Sequence, residues 1–158
     1  MAFKHIVFDH DGTLVKFELN KKSLFDGVKD FLKALNQNGS KLYVWTARNR
    51  QSTIESLKSH GILHYFEDIC TSTDADVKPS TDGLESMLGD TDKSHICVIG
   101  DSITDIVGAR SFKVMALGAA WNNPSDSEVS YLKEYGADYV FKEVQECMSF
   151  VLENLDKE

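Results

Sequence analysis

Two carboxylates stand two residues apart in Asp9-His10-Asp11-Gly12-Thr13-Leu14, directly after the apolar run from Phe3 to Phe8. Carboxylates this close repel each other unless one is protonated or a cation lies between them. A hard divalent ion such as magnesium takes oxygen ligands of this kind. A carboxylate can also attack phosphorus to form an aspartyl-phosphate, while a second carboxyl group shuttles protons. Gly12 permits a sharp turn that offers backbone N–H groups to an anion. The competing reading is an acidic turn closing a strand. A calcium loop does not fit, because the EF-hand spacing puts its glycine later and ends on Glu.

Three later residues could complete such a site. Thr46, in Trp45-Thr46-Ala47-Arg48, offers a short, stiff hydroxyl donor, and the Ala47 N–H a second one. Lys78, in Val77-Lys78-Pro79-Ser80, offers a cation for a phosphate and for Asp9, and Pro79 biases it toward extended backbone. Asp101, in Gly100-Asp101-Ser102-Ile103-Thr104-Asp105, offers a further acidic ligand. Each also has a plainer reading: a β-branched strand residue, a solvated lysine and a loop aspartate. Asp105 either supports a metal or closes a helix capping box with Ser102. Arg48, Asn49 and Arg50 either reach a leaving group from the crevice rim or form a solvated helix start. His10 is read as mattering through its backbone, and the other histidines lack metal-ligand spacing.

The elements that must position these groups alternate between short apolar runs and helix-period segments, the pattern of an α/β domain with a mainly parallel sheet. Strands are expected at Phe3 to Phe8, Leu42 to Trp45, around Ile69 and Cys70, His95 to Ile99 and Val114 to Leu117, with Tyr139 to Phe141 at an edge. Helices are expected from a Ser23/Asp26 capping box to Gly39, around Ile54 and Leu57 up to Gly61, and from Ser80 to Leu88. Three more should run from Ile103 to Ser111, from the Ser125/Glu128 box to Gly136, and along the stripe Val144 to Leu155. Asp9, Thr46 and Asp101 each then fall just past the C-terminal end of a strand, and in an open parallel sheet those ends line one crevice.

The 158 residues suit one domain, and 42% hydrophobic with 27% charged residues allows a buried core. A net charge of -8 without a basic cluster disfavours nucleic acid and membrane surfaces as partners. A small anion remains admissible if a metal or a few cations cancel the local field. The start MAFKHIVFDHDG reads as cytoplasmic rather than as a signal peptide, and Cys70, Cys97 and Cys147 read as free thiols.

With these motifs in order, the sequence resembles the haloacid dehalogenase superfamily. Its first motif is Asp-x-Asp-Gly-Thr, its second a Ser or Thr after the second strand, its third a Lys and its fourth an acidic Gly-Asp segment. The motifs run from Phe8 to Asp105, the helix and strand that follow, up to Leu117, also resemble phosphoglycolate-phosphatase-type members, and the resemblance implies a three-layer α/β/α Rossmann-like core. It implies a magnesium-dependent phosphatase with Asp9 as nucleophile and Asp11 as general acid/base. Thr46, Ala47 and Lys78 would bind the phosphate, and Asp9, the Asp11 carbonyl and Asp101 would hold the ion. Dehalogenase chemistry does not suit the pair Asp11 and Asp101. The alternatives are a phosphotransferase or phosphomutase, or a non-catalytic module binding a phosphorylated ligand. The intervals 15–40 and 49–77 are too short for the cap domain most small-molecule phosphatases of the superfamily carry. A capless member is therefore expected, a single domain over 1–158. It would act on a phosphorylated small molecule or a phosphoprotein and could close its site by homo-oligomerising.

Overall fold

The computed structural model describes residues 2–18 and 21–157. Strand β1 (His5–Phe8) is followed by an antiparallel pair, β2 (Val15–Glu18) and β3 (Lys21–Leu24), and by helix α1 (Val28–Gln37). Next come β4 (Lys41–Trp45), α2 (Arg50–Ser59), β5 (Phe66–Cys70), α3 (Asp82–Leu88) and β6 (Ile96–Gly100). The chain continues through α4 (Ile103–Ser111), β7 (Met115–Ala119), α5 (Asp126–Glu134), β8 (Tyr139–Phe141) and α6 (Val144–Glu153).

Six strands form one parallel sheet in the order β5-β4-β1-β6-β7-β8. From β1 the chain first builds outward through β4 and β5, then crosses back to continue with β6 on the other side. The order therefore reverses at β1, and a crevice opens there at the carboxyl ends of the strands.

Strand side chains alternate between the two faces with period two. Ile6, Phe8, Leu42, Val44, Cys97 and Ile99 join Phe31, Leu32, Leu35, Leu57 and Val151 in one buried cluster under α1, α2 and α6. Val7, Tyr43, Trp45, Ile96 and Val98 join Leu84, Leu88, Ile106, Ala109 and Leu132 in a second, under α3, α4 and α5. The outcome is the expected three-layer α/β/α architecture. The three cysteines are buried free thiols.

Two local expectations need correction. Ser23 and Asp26 do not open a helix: Lys21–Leu24 pairs in register with Val15–Glu18, and the chain enters α1 through Gly27 at φ 88, with no side-chain cap. Ladder pairing to β2 took up a segment whose spacing imitates a capping box. The first strand starts at His5 rather than Phe3, because the Phe3 N–H donates to the Asn154 carbonyl beyond α6 at 2.8 Å. The Ser125 cap is present, its hydroxyl accepting from the Glu128 N–H at 3.1 Å. Losing a real cap costs about 0.5–2 kcal/mol. Ser125→Ala should therefore lose roughly 1 kcal/mol in urea unfolding, while Ser23→Ala stays within about 0.5 kcal/mol. Equal losses would contradict this assignment of the two serines.

Candidate active site

Asp9, Thr46 and Asp101 follow three adjacent strands, β1, β4 and β6, at the crossover point of the sheet. The ladder continues one residue beyond two of those strands. The Asp9 N–H donates to the Ile99 carbonyl and the Thr46 N–H to the Cys70 carbonyl, each at 3.0 Å. Both functional side chains thus start from backbone fixed by a neighbouring strand. Asp9, Asp11, Thr46, Ala47, Lys78 and Asp101 all line one cavity of about 370 Å³, together with Arg48, Ser102 and Thr104. A larger cavity, about 570 Å³, opens at the opposite end of the sheet, where Ile96, Met115 and Asp138 stand at the strand starts.

Lys78 is the cation at the centre of the site. It is buried, and its Nζ donates to Asp9 Oδ1 at 3.0 Å, to the Trp45 carbonyl at 3.1 Å and to Asp105 Oδ1 at 2.5 Å. Burial works against its charge, but Asp105 and Asp9 outweigh burial and raise the ammonium above its ordinary value. The Trp45 ring lies under the same ammonium at 5.2 Å. That ring is wedged between α3 and α4: a Cβ on Gly83 would stand 2.6 Å from its Nε1, and one on Gly108 would stand 2.5 Å from its Cη2. Small residues on both helices are what let the indole sit there. The solvated-lysine reading of Lys78 is excluded by its burial.

Asp105 both caps and pairs. Its carboxylate accepts from the Ser102 N–H while the Ser102 hydroxyl accepts from the Asp105 N–H, a complete capping box at the start of α4. It is also fully buried and falls into a cluster with Asp9 and Asp101, whose ligand oxygens lie within 4.8 Å of one another. Burial first, and then the Asp105 charge, pushes Asp9 well above the carboxylate range despite Lys78. Burial likewise lifts Asp101 to about 6. Burial and mutual repulsion thus resist full ionisation of the carboxyl groups beside a single ammonium, and hard oxygen donors of this kind fit a divalent cation that would relieve both. Gly12 keeps room for them: at φ 81, it lies where a Cβ would stand 1.9 Å from Asp101 Oδ2.

Asp11 is turned away from that cluster. Its carboxylate is half-exposed and accepts from Arg48 Nη1 at 2.9 Å and from His10 Nδ1 at 3.2 Å. Burial would raise its pKa, but His10 and then Arg48 hold it down at about 2. The His10 ring is fully buried, and burial lowers its pKa, so it stands neutral at pH 7. A neutral ring that donates from Nδ1 to Asp11 must accept at Nε2, and the Ser56 hydroxyl lies there at 2.8 Å. The His10 backbone also counts, since its N–H donates to Asp9 Oδ1 at 2.7 Å. The imidazole therefore takes part in the site as well as the backbone, which corrects the expectation for His10. The signal was a pair of polar residues, Thr53 and Ser56, on the buried face of α2 beside Leu57. Thr46 Oγ1 accepts from the Arg48 N–H at 3.1 Å, which leaves its own proton for a ligand.

A family model of haloacid dehalogenase-like hydrolases matches residues 16–119. The chain belongs to the haloacid dehalogenase-like hydrolase family. The match takes in Thr46, Lys78, Asp101 and Asp105 and begins downstream of Asp9 and Asp11. Among relatives, the pyrophosphatase PpaX of Halalkalibacterium halodurans is 26% identical over 132 residues, 80% of this chain and 59% of that protein. The PpaX of Bacillus pumilus is 27% identical over 131 residues, with the same shares. The chain thus spans about 59% of the length of these two relatives. A predicted phosphatase from Clostridium acetobutylicum has the same fold, with a TM-score of 0.82 at 19% identity, covering 97% of this chain and 100% of that one. A predicted phosphoglycolate phosphatase from Haemophilus somnus gives 0.81 at 18%, covering 94% and 98%.

Removing one partner from a buried ion pair strands the others and costs about 3–5 kcal/mol. Lys78→Met should therefore destabilise the family member by that amount in chemical unfolding. Adding Asp105→Asn should restore part of the loss, because one stranded charge goes with it. Strictly additive losses would show that Lys78 and Asp105 do not act as a pair.

Proposed function

We propose that the chain is a magnesium-dependent phosphomonoester hydrolase working through an aspartyl-phosphate on Asp9. The observation that carries this reading is the junction of buried Asp9, Lys78 and Asp105 with half-buried Asp101 at the head of β1, with Asp11 and Thr46 on the same cavity. A pure binding module has no need of a carboxylate held this way beside a second, outward-facing one. Family membership and relatives named as phosphatases and pyrophosphatases support the same reading.

Asp9, the Asp11 carbonyl and Asp101 would hold magnesium, which when bound supplies the positive charge that keeps Asp9 and Asp101 ionised and offsets that of the phosphate. In the first half-reaction an Asp9 carboxylate oxygen attacks phosphorus, the bond from phosphorus to the leaving oxygen breaks, and Asp11 gives that oxygen a proton. In the second, Asp11 takes a proton from water, the water oxygen attacks phosphorus, and Asp9 leaves as a carboxylate with release of inorganic phosphate. Thr46 Oγ1–H, the Ala47 N–H and Lys78 stabilise charge on the equatorial oxygens. The resting, ionised Asp11 suits the second half-reaction. For the first, the negative charge of an arriving phosphate beside it raises its affinity for a proton.

We also read the chain as capless. The described residues between β1 and β4 form only the β2–β3 pair and α1, and those between β4 and Lys78 form α2, a one-turn 3-10 segment and β5. The substrate class is then a phosphorylated small molecule or a phosphoprotein, reached through an open site.

Activity on an aryl phosphate should disappear with EDTA and return with magnesium, and calcium should restore it poorly because its looser shell misplaces the nucleophile. Asp9→Asn should abolish turnover while leaving the circular dichroism spectrum unchanged. Undiminished activity in a metal-free preparation, or in Asp9→Asn, would refute the mechanism.

Asp11→Asn should slow turnover by roughly 10²–10⁴-fold, the usual contribution of a positioned proton donor. In the attack step the loss should be larger for an alkyl phosphate than for a nitrophenyl phosphate, whose leaving group needs little protonation. Rapid-quench kinetics should show a burst followed by slow hydrolysis of the phospho-enzyme. Equal losses on both esters without a burst would reduce Asp11 to a structural role.

A further inference from the structure

The larger cavity at the strand starts, of about 570 Å³, lies at the far end of the sheet from the reaction site and gathers cations that the sequence keeps apart. Lys93 stands before β6, Arg110 in the last turn of α4, and Lys113 in the short link to β7. Among the described residues lining it, Asp138 is the single carboxylate, and both its oxygens are engaged. Oδ1 accepts from Arg110 Nη1 at 3.0 Å and Oδ2 from the Ala116 N–H at 2.8 Å. Lys93 Nζ rests on the Phe112 ring, 3.0 Å from its centroid, and Lys113 is exposed. Neither lysine forms an ion pair among the described residues. Two positive charges therefore stand uncompensated at one cavity of a protein whose net charge is -8.

Lys113 is kept there against its backbone preference. Helices α1, α2, α4 and α5 all close alike: a left-handed residue follows the cap, and the next N–H reaches back into the last turn. Those bonds run from Ser40 to Leu35, Ile62 to Leu57, Val114 to Ala109 and Ala137 to Leu132. The left-handed residue is Gly39, Gly61 and Gly136 in three of them, and Lys113 at φ 66 after α4. A residue with a Cβ is disfavoured in that conformation, where glycine is the usual choice. Closing the helix thus gives no reason for a lysine, whereas its place on the cavity wall does.

The lining also limits what fits. Two ammonium groups, beside a guanidinium with donors beyond the one given to Asp138, match a doubly charged phosphoryl-type group better than a single carboxylate. Buried Phe3, Ile96 and Val114 close the floor, and half-buried Met115 adds apolar surface, so the ligand has room for an apolar body. We propose that this cavity is a binding site, separate from the reaction cavity, for a small ligand that carries a phosphoryl-type dianion on an apolar body. Lys93 and Lys113 hold the anion, Arg110 shares it, and Met115 lies against the body.

The probe is phenylphosphonate, whose carbon–phosphorus bond a phosphate-ester hydrolase does not cleave, added to the protein in EDTA. In an NMR titration it should shift the backbone amides of Ser94, Lys113 and Met115 saturably, whether or not those of Thr46 and Ala47 also move. Methylphosphonate should bind the same residues roughly fivefold more weakly, because it has no ring to bury. Lys113→Gly, read on Ser94 and Met115, should weaken phenylphosphonate roughly three- to fivefold, the size of one solvent-reaching charge contact. The same variant should melt about 2–4 °C higher, because glycine relieves the left-handed strain, so its weaker binding is not a folding defect. Lys93→Met should weaken binding to a similar extent. Saturable shifts confined to Thr46 and Ala47, no saturation at Ser94 and Met115, or unchanged affinity in Lys113→Gly would overturn the site.

Discussion

The site depends on one buried ammonium shared between two carboxylates. Lys78 ties Asp9, at the head of β1, to Asp105, in the first turn of α4, and to the Trp45 carbonyl at the end of β4. Three separate elements are therefore fixed to a single nitrogen. An ammonium would not remain charged in so dry a place without them, and the two carboxylates would not remain together without it. The packing around it follows: the Trp45 indole needs the ammonium above it and glycines at 83 and 108 beside it, and the Asp105 carboxylate needs a glycine at 100, where a Cβ would come within 2.3 Å.

The parallel sheet makes this junction possible. Reversal of strand order at β1 puts the ends of β4 and β6 on either side of Asp9, so Asp9, Thr46 and Asp101 meet at strand ends, and only Lys78 is brought in by a loop, the segment 71–81 between β5 and α3. Most of the fixing is done by backbone, through ladder bonds from Asp9 and Thr46 to the neighbouring strands. The Asp9 and Thr46 side chains then need only short reaches and lose little freedom when held, and the larger loss at Lys78 is offset by its three bonds.

That division explains what was legible in the sequence. Strands with near-continuous apolar residues, such as Ile96–Gly100, and helices with clear stripes or caps, such as Ile103–Ser111, fell close to their expected bounds, because both faces of the sheet are covered. The β2–β3 pair was not legible as strands. A four-residue ladder with Lys21, Lys22 and Ser23 on one strand carries no apolar periodicity, and Ser23 with Asp26 imitates a cap. The placement of the chemical groups at strand ends could be anticipated, but their partners could not. Nothing local in the sequence joins His10 to Ser56, 46 residues away, or Arg48 to Asp11, 37 residues away. Asp105 was ambiguous for a physical reason as well: the spacing that makes a capping box also aims the carboxylate at Lys78, and the structure uses both.

The balance of charge around Asp11 links the chemistry to the shape of the opening. A protein with a net charge of -8 repels phosphates at long range, so attraction has to come from cations placed at the crevice itself. Lys78 is committed to Asp9 and Asp105, which leaves the rim to supply any further positive charge. Arg48 stands there, with Lys22 beyond it on the β2–β3 pair. In the proposed mechanism, the exposed side of Asp11 beside them is where the water of the second half-reaction would enter.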